Sequence, residues 1–467
     1  MAQMPWKWPF VSFSKRQEDR SMTRSSNEVT SGSLLEGLLQ DLMRDDPAWA
    51  EFLGGIAYLW PPYRTEREHE QIRNESRWLV SHHAFAAAAL EVRQSYVVGT
   101  GHTYTVRAKP GQNLADDVLQ RIQAEIVDFI ERDQWQHRQL ENQWRLDRDG
   151  EVFIRLFDVD GHLAIRYVEP EQVASPPGSD APFGVVTDPD DAETVRSYWV
   201  RRDVMRSDGW EEVPAEEIQH RKANCDRTMP RGLPVLFPVR DNLRRVWKLL
   251  RNMTTVAGIQ AAVAILRMHG AAPAGSVQQY VARMAAASGT APPSSQIPPT
   301  YERFPPGAII DVPPGVEVKF PAEGINVANY VQAVQAELRA VAARLCLPEY
   351  MLSGDASNAN YASTLVAEGP AVKAFERLQS QTIWWDTAIL RKALEIAERA
   401  GRLPAGVSQQ IIIEAEAPLV QSRDRLKEAQ ADQILLTMGV VSPQTVAARH
   451  GYDYEQEKSL TVQAEES

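Results

Sequence analysis

The sequence predicts an α+β protein in which a block of β-strands lies between long α-helices. Alternating apolar residues and turn signals dominate residues 151–220. Apolar residues at helical spacing cover longer segments both before and after this block. With 467 residues and 43% hydrophobic content, the chain can form a substantial core divided over two or more domains.

The N-terminal part of the chain is predicted to be helical after a flexible arm. Residues 1–33 are rich in Ser, Arg and Asn and show little periodicity, which is typical of a flexible segment. Helical patterns then cover 33–57, 65–97 and 113–144. A turn is predicted at 147–150, where charged residues precede a glycine.

The middle of the chain combines short strands with a long helix. Strands are predicted at 151–157, 163–167 and 195–202, with turns at 176–178 and 188–191. Pro238 precedes a helix predicted over 239–269, which at about 1.5 Å per residue is roughly 45 Å long. Residues 270–325 are rich in Ala, Pro, Gly and Ser, and contain short strand patterns at 308–312 and 316–320.

The C-terminal part returns to helices, which are interrupted by one polar loop. The predicted elements are a helix over 326–345, a polar loop over 346–360, a long helix over 361–400, a strand over 410–414 and short helices over 422–438 and 442–450.

Charge and cysteine content limit the classes of function. The net charge of −12 and the pI near 5.4 disfavour tight binding to nucleic acid, which requires positive charge, but they allow an acidic wall past which DNA slides. The two cysteines, Cys225 and Cys346, are too few for a disulfide framework or a four-ligand zinc site, which fits a reducing cytosol. No segment reaches the about eighteen apolar residues of a membrane span, and no signal peptide is recognisable, so we expect no membrane partner.

Candidate metal sites are incomplete in this sequence. A zinc protease helix needs a second histidine four residues after the first, and Arg73 occupies that place after His69. We interpret this segment as a solvated helix face. The aspartates at 188, 190 and 191 lack the glycine and the distant glutamate of a calcium loop, so they indicate a hairpin turn.

Candidate catalytic motifs are incomplete as well. The chain has no phosphate-binding loop of a motor ATPase and no nucleophile elbow of a hydrolase. Ser353 and Asp355 place a hydroxyl beside a carboxylate, but no histidine is near them in sequence, so a hydrolase remains a weak alternative. We expect no enzyme activity, no cofactor and no metal.

Two features suggest contacts with partners. A basic cluster surrounds Trp247 at the start of the long helix and consists of Arg244, Arg245, Lys248 and Arg251. It is either a solvated helix face or a contact for an acidic partner or nucleic acid. Trp384 and Trp385 are adjacent aromatic residues, which we interpret as packing at a subunit or domain contact.

The second half of the chain resembles the portal proteins of tailed bacteriophages, in particular the lambda-like family. Residues 338–348 read LRAVAARLCLP, and residues 352–363 read LSGDASNANYAS. In that family a helix ends near a G-L/V-P turn and leads to an L-S-G-D-x-S-N-x-N-Y-S-S segment. Cys346 stands where glycine is usual, and Ala362 stands where serine is common.

Earlier segments are also similar to the family, in the right order over roughly 70–455. Residues 77–101 resemble its N-terminal helix and V-V-G-x-G end, and residues 150–153 match its G-E-x-F strand. Residues 213–220 and 231–234 are similar to its V-P-A-x-x-V-x-H and R-G-x-P passages.

The resemblance implies a portal fold and a domain plan. The chain would form a dodecameric ring with a mixed α/β wing, a two-helix stem, a small clip and a helical crown. On this plan the segments are a flexible N-terminal arm at 1–33, the first part of the wing at 34–237, a stem helix at 238–269, the clip at 270–325, a second stem helix at 326–345, a tunnel loop at 346–360, a long wing helix at 361–400 and a crown with the C-terminal tail at 401–467.

The resemblance also implies a function, partners and a location. The ring would sit at the unique capsid vertex of a virion, after assembly in the bacterial host cytoplasm, and form the channel for DNA packaging and ejection. Its partners would be further copies of the chain, the major capsid and scaffold proteins, the terminase large subunit, the head–tail adaptor and double-stranded DNA, which passes non-specifically. The alternatives are another minor head or connector component and, more weakly, the hydrolase.

Two sets of residues are candidates for these roles. The predicted tunnel loop would present small or polar residues to DNA, namely Glu349, Ser353, Gly354, Asp355, Ser357, Asn358 and Asn360. The carboxylates of Glu349 and Asp355 would repel phosphates, so contacts would be weak, as sliding requires. The alternative is an ordinary solvated turn. The basic cluster around Trp247 would be where the terminase or the adaptor docks.

Overall fold

A computed structural model describes residues 62–179, 181–202, 209–268, 308–312, 327–355, 361–420, 425–449, 454, 457, 458 and 461. The predicted flexible arm, the helix predicted at 33–57, the strand predicted at 316–320 and most of the predicted clip lie outside these residues. The described residues combine helices and strands, so the predicted α+β class is confirmed.

The first two described helices are α1 (Glu66–His82) and α2 (Ala84–Val97). Thr65 and Glu68 form a capping box that fixes the start of α1. The single helix predicted over 65–97 is wrong, because His83 between α1 and α2 is extended, with φ −116° and ψ 109°. The His83 ring is buried and its Nε2 lies 3.0 Å from the carbonyl of Leu243, a partner 160 residues away in sequence.

A second helical pair follows, α3 (Asp116–Arg132) and α4 (Trp135–Asp149). One helix was expected here over 113–144, but Gln134 takes a left-handed conformation with φ 51° and separates the two. Helix α4 extends through most of the predicted turn and ends at Gly150, whose φ of 84° suits a glycine C-cap.

The strands form four small sheets among the described residues. They are β1 (Thr103–Ala108), β2 (Glu151–Val159), β3 (His162–Val168), β4 (Val185–Asp188), β5 (Asp191–Arg201), β6 (Trp210–Pro214), β7 (Ile218–Lys222), β8 (Val263–Met268), β9 (Ala308–Val312) and β10 (Ile411–Glu416). Two antiparallel sheets have the orders β3-β2-β7 and β4-β5-β6, β1 pairs antiparallel with β10, and β8 pairs parallel with β9. The hairpin turn predicted at the aspartates between β4 and β5 is confirmed.

The long central helix is α5 (Arg240–Ala262), and it packs against α6 (Val327–Arg344). The helix predicted over 239–269 is too long, because the chain continues from α5 as strand β8. Residues 263–268 are apolar except for Arg267 and include the β-branched Val263 and Ile265. Their partner strand β9 follows more than forty residues later in the sequence, so local patterns could not predict the pairing.

The C-terminal helices are α7 (Glu349–Ser353), α8 (Tyr361–Arg399), α9 (Arg425–Thr437) and α10 (Pro443–Arg449). The long helix predicted over 361–400 and the two short helices of the tail are confirmed. Helix α8 has 39 residues, which correspond to about 58 Å at the helical rise.

Among the described residues, the two largest hydrophobic cores both include residues of α8, and a smaller third core packs β4, β5 and β6. The first core lies among α1, α2, α5 and α6, and includes Leu90, Leu243 and Phe375. The second core lies among α3, α4, β2 and β3, and includes Ile126 and Leu394. Because Phe375 and Leu394 are both on α8, this helix links the two cores.

Candidate functional site

The predicted tunnel loop is described only in its first part. Glu349, Ser353, Gly354 and Asp355 are described, whereas Ser357, Asn358 and Asn360 lie outside the described residues. Gly354 and Asp355 are exposed, and Ser353 is half-buried. The described polar end of this segment therefore lies at the surface.

The start of the predicted loop is packed and helical, so the prediction of a polar loop over all of 346–360 is wrong at this end. Leu347 and Leu352 are buried in the first core. Cys346 has φ 56°, a left-handed conformation that favours glycine, which is the residue usual at this place in the family it resembles. Gly354, with φ 71°, ends α7.

Two side chains at the start of this segment are held by contacts within the chain. The Arg339 Nε atom donates to the Glu349 carboxylate at 2.5 Å, and the Tyr350 hydroxyl donates to Glu368 on α8. The charge of Glu349 is thus neutralised by a guanidinium. Its contact with DNA stays a prediction.

The basic cluster on α5 divides into paired and unpaired cations. Arg244 forms ion pairs with Glu75 on α1 at 2.7 Å and with Asp241 at 3.1 Å. Arg245 Nε pairs with Glu337 on α6 at 2.8 Å. Within the described part of the chain, no ion pair involves Lys248 or Arg251, and both side chains are exposed.

An open cleft of about 690 Å³ lies beside this cluster, between α1 and α5. We call it the aromatic–basic cleft; its lining residues are Glu75, Trp78, Leu79, His83, Arg244, Trp247, Lys248, Arg251 and Asn252. The Trp78 and Trp247 rings meet edge to face with 6.0 Å between centroids, and they are 43% and 45% exposed. The Arg251 guanidinium lies 5.8 Å from the Trp247 centroid. The cleft combines exposed aromatic surface with positive charge.

The two adjacent tryptophans on α8 lie in different environments. Trp385 is buried in the second core of its own chain, where the Arg221 guanidinium lies 5.6 Å from its ring. Trp384 is 70% exposed. The predicted subunit or domain contact stays a prediction for Trp384, whereas Trp385 is accounted for by packing within the chain.

A buried charged cluster, which the sequence analysis missed, is centred on Glu151. This residue is fully buried at the start of β2. Arg231 Nη2 donates to its Oε1 atom at 2.6 Å, and His220 Nε2 lies 3.1 Å from its Oε2 atom. Arg231 also donates to the carbonyls of Val173 and Pro170, so its guanidinium is satisfied on several sides.

His69 and Arg73 extend this cluster, so their interpretation as a solvated helix face is wrong. Both are buried on α1, at 2% and 3% exposure. His69 Nε2 lies 2.8 Å from the carbonyl of Gly232, and Arg73 Nε donates to Glu171 at 3.0 Å. We use the name Glu151 cluster for the following five residues: His69, Arg73, Glu151, His220 and Arg231.

The cluster holds its groups in defined protonation states. Burial by itself raises the pKa of Glu151, but the charge of Arg231 and the hydrogen bond from His220 outweigh it and keep that pKa well below its usual range. Burial lowers the pKa of His69 to about 4 and also lowers the pKa of His220. At neutral pH the cluster therefore contains ionised Glu151 and Arg231 and neutral histidines.

The sequence did contain a signal for the cluster. Glu151, His220 and Arg231 come from three of the passages that carry the family resemblance, and the fold brings all three together. The glycines beside them permit this approach, since a Cβ atom on Gly232 would lie 2.0 Å from the carbonyl oxygen of Gly150. Their burial indicates a role in the fold.

Glu125, Asp128 and His162 are placed so that they could hold a metal ion. The two carboxylates are already partnered, because Arg402 pairs with Glu125 at 2.8 Å and Arg132 pairs with Asp128. These guanidinium groups supply the positive charge that a cation would bring.

The hydrolase alternative rests on Ser353 and Asp355. Ser353 Oγ accepts a hydrogen bond from the backbone N–H of Asp355 at 3.3 Å. Among the described residues, no histidine makes the hydrogen bond to Ser353 by which a general base would activate a serine. As for membranes, none of the helices in the described ranges has the length and hydrophobicity of a membrane span.

Comparisons with known proteins give one family and several similar structures. Residues 62–379 match the family described as "Phage portal protein, lambda family". No curated protein matches the chain.

Three similar solved structures come from gene transfer agent particles, each at 12% sequence identity. The virion of the native particle has a TM-score of 0.41, and the alignment covers 84% of this chain and 95% of that chain. The neck of the empty particle, computed with C6 symmetry, has a TM-score of 0.44 with the same coverage. The neck of the native particle, computed with C12 symmetry, has a TM-score of 0.40 and covers 83% of this chain and 94% of that chain.

Proposed function

Because this chain belongs to the lambda family of phage portal proteins, we propose that it forms a dodecameric ring at the unique vertex of a capsid, and that DNA enters and leaves through the ring. The match to the family over residues 62–379 carries this proposal. A closed ring needs a heterologous interface, in which two different surfaces of each copy meet.

The domain plan is part of the proposal. Helices α5 and α6 would form the stem within 238–269 and 326–345, and the clip would be the segment 270–325 between them. In support, α5 and α6 share the first core and are joined at the surface by Glu337, which accepts hydrogen bonds from Asn242 and Arg245. The wing would consist of 34–237 with 361–400, and the crown would follow at 401–467.

The tunnel loop would line the channel at 346–360. The packed start of this segment anchors it to the first core through Leu352, and its exposed end at Gly354 and Asp355 is polar. A net charge of −12 favours a wall that DNA passes without sticking.

Partners and location follow from the same proposal. The ring would contact the major capsid and scaffold proteins, the terminase large subunit and the head–tail adaptor, and would reside in the virion after assembly in the bacterial host cytoplasm. The basic cluster on α5 is a candidate docking site for terminase or adaptor. Because Arg244 and Arg245 are paired within the chain, Lys248 and Arg251 are the cations best placed to meet a partner.

We propose no catalytic role for the chain, and the energy for packaging would come from a separate ATPase. Another minor head component is the nearest alternative. The pairing of α5 with α6 on either side of the segment 270–325 favours a portal over this alternative, because a stem requires two helices in contact.

Deletion of Ser353 to Ala359 tests the channel role. Ring assembly should survive, because Leu347 and Leu352 stay in the core, while the amount of DNA packaged by a phage carrying the variant should fall. A matched variant replaces the same residues by an equal number of glycines and serines, and should package DNA because sliding contacts are non-specific. If the deletion variant packages and retains full-length genomes, the channel role is wrong.

A further inference from the structure

The aromatic–basic cleft is a concave surface that combines exposed tryptophans with cationic side chains. We propose that it receives helix α3 of a neighbouring copy of this chain. The inference rests on the proposed ring. It assigns the free cations of α5 to a contact between subunits that would close the ring, in place of the docking of terminase or the adaptor.

Aromatic exposure indicates that the cleft is a contact surface. Trp78 and Trp247 leave nearly half of their surface in water, although tryptophan is the residue type most enriched among those that dominate binding energy at interfaces. The edge-to-face contact between them holds both rings in a fixed orientation. A partner side chain that enters the cleft would cover both rings. Because the two rings already contact each other, they would lose little conformational entropy on binding.

The charges at the cleft specify an acidic partner. The carboxylate of Glu75 is paired with Arg244. Lys248 and Arg251 form no ion pair with a described residue, and so they leave the rim positive.

Helix α3 presents a surface of the required chemistry. Its inner side holds Ile122, Ile126 and Phe129 in or against the second core, so α3 is a rigid element of the chain. Its outer side carries Val127, which is 41% exposed. The exposed residues along this outer stripe are Asp117, Gln120, Arg121, Ala124, Val127, Asp128 and Glu131, at helical spacing.

The acidic groups on this stripe are available for pairing. Within the described ranges, Asp117 and Glu131 have no ion-pair partner, and they outnumber the single unpaired cation of the stripe, Arg121. Val127 would contact the tryptophans, while Glu131, one turn further along α3, would meet Lys248 or Arg251. This arrangement matches apolar surface to apolar surface and negative charge to positive charge.

The contact would be heterologous, as a ring requires. The cleft is built on α1 and α5 beside the first core, and α3 belongs to the second core, so the two surfaces are distinct on each copy. Each copy would use its cleft toward one neighbour and its α3 toward the other. DNA is the less suitable occupant, because its phosphate backbone offers no apolar group to cover Trp78 and Trp247.

Photo-crosslinking of the full-length protein identifies the occupant. The photoreactive residue p-benzoylphenylalanine replaces Trp247, and the same residue at Ile434 on α9, 59% exposed and on neither surface, is the control. Under conditions in which rings form, crosslinks between copies from position 247 should reach residues 116–132, and those from position 434 should not. Crosslinks from position 247 to any other segment of another copy, to DNA, to terminase or to the adaptor would overturn the inference.

A charge exchange supplies an independent test in solution. Lys248→Glu and Glu131→Lys should each raise the concentration at which half the chains are assembled by about tenfold, and the double variant should recover most of the loss. Arg227→Glu, at a side chain that is 88% exposed, is the control and should assemble like wild type. Normal assembly of both single variants, or additive losses in the double variant, would refute the contact with α3. If the wild-type chain forms no rings at all, the proposed function itself fails.

Discussion

The Glu151 cluster and the aromatic–basic cleft are built from the same kinds of residue, but they differ in burial. Arg231 is 3% exposed and donates to a fully buried carboxylate. Lys248 and Arg251 are exposed and have no ion-pair partner among the described residues. Residue type alone therefore does not separate a group that supports the fold from a group that is available to a partner.

Aromatic residues show the same contrast. The His220 ring stacks on Phe153 at 4.0 Å inside the Glu151 cluster, whereas the exposed His82 ring stacks on Trp78 at 5.0 Å beside the cleft. Removing a side chain from the cluster should cost stability, because its partners are left buried and unsatisfied. Removing a side chain from the cleft should change assembly and leave stability nearly unchanged.

Loss of Arg231 should produce the largest effect on stability. Arg231→Met leaves the Glu151 carboxylate buried without its main counter-charge, so the free energy of unfolding should fall by about 4 kcal/mol. Urea denaturation measures this change. Arg227→Met, at an exposed cation, should change it by less than about 0.5 kcal/mol. Equal effects of the two variants would contradict the distinction between buried and exposed charge.

Close backbone packing beside the cluster should give the next largest effect. Gly232→Ala places a Cβ atom 2.0 Å from the carbonyl oxygen of Gly150, and the backbone must shift, which should cost about 3 kcal/mol. Gly258 on α5 has nothing within 4 Å of its Cβ position, so Gly258→Ala should stabilise the helix by about 0.5–1 kcal/mol. In thermal unfolding, a lower midpoint for Gly232→Ala and a higher midpoint for Gly258→Ala would confirm the comparison. A lower midpoint for both variants would refute it.

Acidification should weaken the cluster through His69. The pKa of this ring is about 4 in the folded chain and about 6.5 when unfolded, so the unfolded state binds the additional proton between these values. Stability is thus full above pH 6.5 and should fall by no more than roughly 3 kcal/mol as the pH drops to 4. His69→Gln should flatten this slope between pH 7.5 and 4.5, while His220, whose pKa is also lowered, leaves a residual slope of the same sign. An unchanged slope would contradict the assignment.

The surface pair between Arg245 and Glu337 should give the smallest effect. Both groups are partly exposed, so Arg245→Ala should lower the free energy of unfolding by less than about 1 kcal/mol. Denaturation at low and high salt provides the measurement, and the difference between variant and wild type should shrink as salt rises. A loss as large as that of Arg231→Met would mean that exposure does not predict the energetic role of these arginines.

Local sequence patterns predicted the regular elements of the fold well. The helix predicted at 361–400 is confirmed as α8, because it depends on apolar periodicity within the segment. The hairpin between β4 and β5 is also confirmed, because it depends on turn residues that are close together in sequence. Two helix breaks were not predicted, one at His83 between α1 and α2 and one at Gln134 between α3 and α4. The His83 ring contacts the carbonyl of Leu243 on α5, which is distant in sequence, and Gln134 takes a left-handed conformation that is rare for this residue type. The predicted end of α5 was too late in the sequence. The residues after α5 form strand β8, and the partner of β8, strand β9, is distant in sequence.

Burial of polar residues was the least predictable property. The spacing of His69 and Arg73 on a charged helix indicated a solvent face. The hydrogen-bond partner of His69, the carbonyl of Gly232, is 163 positions away in sequence, and Glu171, which pairs with Arg73, is 98 positions away. The basic cluster on α5 was recognised as a group, but its division into paired and unpaired cations depends on carboxylates from α1 and α6. These pairings exist only once the helices pack.

Native mass spectrometry of the purified full-length chain, with negative-stain electron microscopy of the same sample, tests the central claim most directly. If the chain is a portal subunit, the spectrum should show a closed oligomer of about twelve copies, and the images should show rings with a central hole. A mass that stays strictly monomeric across a range of salt and protein concentrations would contradict the account.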